Sequence, residues 1–244
     1  MRSDSALATV ADLSLARASG LPLGHFRPEH VSEQVARACA RTGTPDAAAL
    51  ARLLARDRDA RTRFRRSVAI SHGAIFRDPE QFRLLERVLL PRLLEDGRRL
   101  TAWSAGCADG SELYTLGIVL ERMGALDRAL LLGSDLLEEN VAAAREGVYP
   151  SQPAHEIPPA VSERVRWDRR DIVADGPPAG RWRLVLCRNV AIYLAPAARR
   201  ALYETLVSAL ATRGVLVLGR SERLLDPSSL GLRPVAPHAY ERLR

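Results

Sequence analysis

Apolar and polar positions repeat along this chain with two different periods, and the change falls near Gly97. From 29 to 70 three stretches carry apolar residues at helical spacing, as at Leu50, Leu53 and Leu54, and Pro45 stands at the start of one of them. This predicts a small all-helical domain over residues 25–77. Residues 1–24 have a mild helical pattern with no companion segment and read as a flexible tail, with order beginning near Pro28. A further helix, with Asp78-Pro79 as cap and first turn, places Phe82, Leu85, Val88, Leu89 and Leu93 toward the next domain, which makes 78–97 a linker helix.

Beyond Gly97 the pattern becomes short apolar runs, at 100–103, 129–132, 183–186 and 215–218, separated by helical stretches. That alternation is the signature of an α/β fold, a parallel sheet wound with helices, over 98–244. In such a sheet ligands sit beyond the carboxyl ends of the strands. The residues following each run are therefore the candidates for chemistry.

After the first run the chain reads Trp103-Ser104-Ala105-Gly106-Cys107-Ala108-Asp109-Gly110-Ser111-Glu112-Leu113-Tyr114 and then an amphipathic helix. Gly106 and Gly110 stand where a strand must turn into a helix, and the residues between are small, so backbone can approach a ligand closely. A phosphate-cradling loop needs a Lys after its last glycine, and this chain has no Lys. The three closely spaced glycines of a dinucleotide fingerprint are absent too. A nucleoside cofactor without phosphates fits better.

Composition narrows the picture in three respects. The 244 residues suffice for one large or two small cores. Asp4 and Asp12 interrupt any N-terminal apolar run, so neither a signal peptide nor a membrane span is expected, and the expected location is cytoplasmic. Cys39, Cys107 and Cys187 cannot all pair, and His25, His30, His72, His155 and His238 lack ligand spacing, so reduced thiols and no metal are expected.

Five segments in order resemble the motifs of the chemotaxis receptor methyltransferases, the CheR family. The glycine turn resembles W-S-A-G-C-S-T-G-E-E-P-Y-S, and Phe76-Arg77-Asp78 with Phe82 resembles F-F-R-D. Ala144-Arg145-Glu146-Gly147-Val148-Tyr149 resembles A-R-x-G-x-Y. Cys187-Arg188-Asn189-Val190-Ala191-Ile192-Tyr193 resembles C-R-N-V-x-I-Y, and Gly219-Arg220-Ser221-Glu222 resembles G-H-S-E. The resemblance implies a class I methyltransferase, a doubly wound sheet preceded by the helical domain, with the segment 235–240 as its antiparallel edge strand. It implies S-adenosylmethionine as cofactor, S-adenosylhomocysteine as product, and methyl transfer to glutamate carboxylates of a chemoreceptor-like protein.

Site residues follow from the matched positions. Arg77 is the group expected to pair with the cofactor carboxylate, or else to cap the preceding helix. Gly106 and Gly110 admit the ligand, and Glu112 attracts its amino group or sulfonium, or serves only the helix dipole. Asp135 accepts the ribose hydroxyls, or caps the helix that follows. Asp171 and Ile172 lie beside the adenine, and Asn189 with Val190 faces cofactor and substrate. Arg188 and Tyr193 are placed near the transfer axis, with a core aromatic as the other reading of Tyr193. Several positions depart from the family pattern: Ser111 replaces the first Glu of G-E-E, Leu137 the second Asp of T-D-I-D, Ser71 and Gly73 the Asn and Thr of N-x-T-x-F-F-R, and Arg220 the His of G-H-S-E.

The net charge of +7, with Arg56, Arg58, Arg61, Arg63, Arg65 and Arg66 close together, marks a basic face in the helical domain. It suits an acidic helical protein substrate, as the resemblance implies, or it is a solvated surface interleaved with Asp57 and Asp59. Few aromatics accompany it, so nucleic acid is disfavoured. Only a proline-rich stretch separates Tyr149 from Val165, which leaves no room for the small β-subdomain with which family members tether receptors. The chain thus reads as a trimmed member. Three functions stay open: a protein-glutamate methyltransferase, a methyltransferase with a small-molecule acceptor, and a non-catalytic module acting through its partner.

Overall fold

The computed structural model describes residues 13–70, 73–149 and 156–243, and these divide into two units. The first lies within Met1–Ser71 and takes in Tyr193–Arg199 from much later in the chain. Its three helices are α1 (Pro28–Thr42), α2 (Ala47–Arg56) and α3 (Arg58–Ala69). Each boundary has a local cause. Pro28 opens α1 and Gly43, in the left-handed region, closes it; the carboxylates of Asp46 and Asp57 accept the Ala49 and Ala60 N–H groups at the starts of α2 and α3. Leu50, Leu54, Phe64 and Val68 form the buried faces, and the His30 ring donates from Nε2 to the Val68 carbonyl at 2.8 Å. The late segment joins by backbone pairing: Phe26 bridges Leu194, Arg27 N–H donates to the Tyr193 carbonyl and Ala195 N–H to the His25 carbonyl.

Two sequence expectations are corrected here. Residues 13–19 are helical and Leu15, Leu21 and Leu23 are buried, so a tail does not extend to residue 24; residues 1–12 lie outside the described set. The helical unit also ends before His72, so the segment carrying Phe76 and Arg77 belongs to the sheet unit.

The second unit, His72–Ile192 and Arg200–Arg244, is built on a 7-stranded sheet of order β3-β2-β1-β4-β5-β7-β6. The strands are β1 (Leu100–Ala105), β2 (Ala129–Asp135), β3 (Val165–Arg169), β4 (Trp182–Cys187), β5 (Leu210–Leu218), β6 (Leu232–Ala236) and β7 (Ala239–Arg242). From β3 to β5 all pairings are parallel; β7 is antiparallel to both β5 and β6. Buried on both faces, β1, β4 and the end of β5 are nearly continuous apolar runs, which is why the sequence announces them. The expected edge strand at 235–240 straddles a hairpin turn at Pro237 and His238; β7 lies inside the sheet and β6 forms the edge. This is the class I methyltransferase arrangement.

Helices α6 (Ser111–Arg122), α7 (Glu138–Glu146) and α8 (Pro159–Ser162) follow β1, β2 and the loop before β3, and α9 (Pro196–Ala209) precedes β5. The helix expected over 78–97 is α4 (Pro79–Leu84), a π turn (Leu85–Leu89) and α5 (Leu90–Leu94). Pro91 lacks the N–H an α-helix needs at that point, and the Leu90 N–H reaches back to the Leu85 carbonyl, five residues away. The shift buries Leu85, Leu89, Leu90 and Leu93 and turns Val88 outward, against the expectation for Val88. At its end Arg92 donates to Glu241 Oε1 at 2.5 Å, and Arg233 holds Oε2 of the same buried carboxylate at 2.6 Å. Burial alone would raise the Glu241 carboxyl; the hydrogen bonds from Arg233 and Arg92 outweigh it and hold the group below the ordinary glutamate range.

Candidate functional site

The strand order reverses between β1 and β4, which are hydrogen-bonded neighbours, and crevices for ligands open at such a point beyond the carboxyl ends. Here the two turns meet. Gly106, leaving β1 with φ of +75°, approaches Val190, leaving β4, so closely that a Cβ on Gly106 would stand 2.6 Å from Val190 Cγ2. Its N–H and that of Cys107 both donate to the Ser134 carbonyl at the end of β2, at 2.8 and 2.9 Å. Gly110, φ +82°, has a different reason to be glycine: a Cβ there would strike Trp167 at 2.6 Å and Ala144 at 2.8 Å. Its small size seats the turn against β3 and α7. Tyr149 completes the seat by donating its hydroxyl to the Asp109 carbonyl at 2.7 Å.

Asp135 lies at the tip of β2 and is 7% exposed. Oδ2 accepts the Ala108 N–H at 2.9 Å, while Oδ1 accepts the Leu137 N–H and the Asn140 amide, each at 2.9 Å. Its carboxylate thus ties the glycine turn to the start of α7, the capping alternative seen in the sequence. Burial raises its pKa and these hydrogen bonds only partly oppose the rise. Leu137, where the family motif has a second acid, is fully buried.

Arg188, the residue after β4, is the hub of a partly buried polar network. Nε donates to Gln81 Oε1 at 2.8 Å, Nη1 to Glu112 Oε2 at 3.1 Å, and Nη2 to Asp78 Oδ2 at 2.7 Å and the Arg77 carbonyl at 3.3 Å. The guanidinium also lies 5.3 Å from the Phe82 ring centroid. Gln81 extends the network to the Leu218 carbonyl at the end of β5, and Ser104 on β1 donates to Glu112 Oε1 at 2.7 Å. Asp78 therefore does not cap α4 through its side chain as expected; that carboxylate is spent on Arg188. Glu112 is likewise paired.

The turn after β4 is held by a residue that sequence reasoning noted only as the last letter of a motif. Glu222, 3% exposed, accepts four backbone N–H groups: Asn189 and Gly219 on Oε2 at 2.7 and 2.8 Å, Val190 and Ala191 on Oε1 at 2.9 and 2.7 Å. This fixes Asn189 in the left-handed region at φ of +61°. Gly219 leaves the room, since a Cβ there would meet Asn189 Oδ1 at 2.2 Å. An isolated Glu after a strand gives no sequence signal for a four-donor nest; its meaning exists only once β4 and β5 are neighbours.

The remaining predicted residues separate. Arg77 is exposed in the segment whose Phe76 N–H donates to Thr115 on α6, and so lies in the sheet unit. Ile172 is buried, while Asp171 Oδ1 accepts the Val173 and Ala174 N–H groups and shapes the turn after β3. Tyr193 falls in the helical unit, its ring 5.2 Å from that of His30. Cys107 and Cys187 are buried, which pushes their thiols well above the ordinary range. Among the described residues no His, Cys, Asp or Glu cluster suited to a metal forms.

A nucleoside cofactor with a short charged tail fits this setting at the Gly106–Val190 approach, the apolar Ile172 and the acidic glycine turn. One element of fit is missing where Leu137 stands. Comparison with known proteins agrees. Residues 71–165 and 151–233 match the family described as CheR methyltransferase, SAM binding domain. A chemotaxis protein methyltransferase of Listeria innocua is 32% identical over 184 residues, covering 68% of this chain and 70% of that protein, and its Listeria monocytogenes counterpart is 31% identical with the same coverage. Chemotaxis protein methyltransferase 2 of Pseudomonas aeruginosa is 30% identical over 192 residues, 68% of each chain. With its sheet order, its glycine turn and most of its length matched, the chain belongs to the CheR family of S-adenosylmethionine-dependent methyltransferases.

Proposed function

We propose that this protein methylates glutamate carboxylates of a receptor-like helical protein in the cytoplasm. The observation that supports this reading is that Glu112, Asp135, Glu222, Cys107, Cys187 and Tyr149 offer no poised proton acceptor at the strand ends. Glu112 is paired with Arg188, Asp135 accepts three donors and Glu222 four, and the Cys107 and Cys187 thiols and the Tyr149 hydroxyl are held protonated by burial. A carboxylate acceptor, ionised at neutral pH, needs no such base.

When bound, S-adenosylmethionine supplies a sulfonium methyl. A carboxylate acceptor would take that methyl without any residue of this chain having to move a proton. The chain's contribution is alignment, which is worth on the order of 7–11 kcal/mol when the reacting atoms are held in line. Arg77 would bind the cofactor carboxylate, Gly106 and Val190 would form the floor, Ile172 and Asp171 would flank the adenine, and Asn189 would face cofactor and acceptor. Arg188 acts one step removed, by positioning Glu112 and the Asp78–Gln81 turn. The basic α3 surface, with Arg58, Arg63 and Arg66 exposed, offers charge complementarity to an acidic helical partner.

Calorimetric titration with S-adenosylmethionine and S-adenosylhomocysteine tests the cofactor site, with micromolar binding expected. Transfer of a labelled methyl group to a chemoreceptor signalling domain, released as methanol by mild base, tests the acceptor. Cofactor binding with no base-labile product on any receptor domain would overturn the glutamate assignment, and no cofactor binding would leave a partner-binding module.

A further inference from the structure

The cofactor's amino-acid tail carries an ammonium group, which a carboxylate complements. Glu112, the acid that the motif suggests, is paired with Arg188, which it shares with Asp78, and bonded to Ser104. Asp135 already accepts three internal donors. One acid of the glycine turn remains.

Asp109 is half-buried at the crest of that turn, between Ala108 at φ of +49° and Gly110 at +82°. Among the described residues its carboxylate takes a single hydrogen bond, from the Ser111 N–H to Oδ1 at 3.1 Å. Its main chain is pinned by Tyr149. The segment leading to Arg77 lies directly against it: a Cβ on Gly73 would stand 2.1 Å from both Asp109 Oδ1 and Ser111 Oγ. Ser111 occupies the place of the first Glu of the glycine-turn motif, and Gly73 that of the Thr of N-x-T-x-F-F-R. The loss of bulk at Gly73 and of the acid at Ser111 is thus matched, in space, by a carboxylate two residues earlier.

Resting on the cofactor-binding reading above, we infer that Asp109 is the residue that binds the ammonium group of S-adenosylmethionine, the role that the motif suggests for Glu112. Asp109 and Arg77 then hold the two charges of one zwitterionic tail.

The test is calorimetry on the full chain with three probes: S-adenosylmethionine, S-adenosylhomocysteine and methylthioadenosine, which lacks the amino-acid tail. Asp109→Asn is expected to weaken the first two by about tenfold or more, the range for deleting one charge-assisted contact, and to leave the third unchanged. Asp109→Glu, which restores the charge, recovers part of the loss. Equal binding of S-adenosylmethionine by parent and Asp109→Asn overturns the assignment while leaving the cofactor reading intact. A uniform loss for all three probes also overturns it, because a distorted turn and not a lost ion pair is then the cause. A parent chain that binds none of them overturns both readings.

Discussion

Replacing Glu222 with Ala removes the acceptor of four backbone N–H groups at once. Those of Ala191 and Gly219 are buried, and an unsatisfied buried donor costs about 1–3 kcal/mol. Those of Asn189 and Val190 are only partly buried and regain water, so their contribution is smaller. The sum is about 2–6 kcal/mol, a large share of the roughly 5–15 kcal/mol that holds an ordinary domain together. Glu222→Gln should rescue little, because the amide keeps one acceptor oxygen and turns an NH2 group toward the other pair of donors. Urea unfolding followed by tryptophan fluorescence reports the sheet unit selectively, since Trp103, Trp167 and Trp182 all lie there. The same variants should lose cofactor affinity under conditions where they remain folded, as Asn189 is released from its left-handed conformation. A Glu222→Ala protein within about 0.5 kcal/mol of the parent would refute the reasoning, because water would then satisfy the turn as well as the carboxylate does.

Arg188→Leu leaves Glu112 and Asp78 without their shared cation and should cost about 3–5 kcal/mol in the same unfolding assay, with Arg188→Lys intermediate because one ammonium cannot span four acceptors. Gly106→Ala and Gly97→Ala impose the same left-handed strain of about 1–2 kcal/mol, but only the first meets Val190; calorimetry should show lost cofactor binding for Gly106→Ala and parental binding for Gly97→Ala. Glu241, held below the ordinary glutamate value of about 4.3, contributes stability that is present above that pH and lost as pH falls through its folded value. Glu241→Gln should therefore flatten the acid limb of a stability–pH curve, whereas an unchanged limb would show that the Arg92–Arg233 cluster adds nothing.

The period change near Gly97, the helix and strand alternation and the glycine turn are local properties, and they were enough to identify the doubly wound sheet and the place of its crevice. Strands buried on both faces must be apolar throughout, and a strand that turns at once into a helix needs small residues, so both leave marks in the sequence. The five family motifs likewise named the residues that gather at the strand ends. What those residues do there was decided by neighbours distant in sequence. Asp78 reads as a cap until β4 brings Arg188 to it, Glu112 reads as an available acid until the same guanidinium claims it, and Glu222 is only the last letter of a motif before β5 lies beside β4. Hydrophobic periodicity is written one residue at a time, but a carboxylate's role depends on which donors reach it, and those come from strands that only tertiary pairing sets side by side.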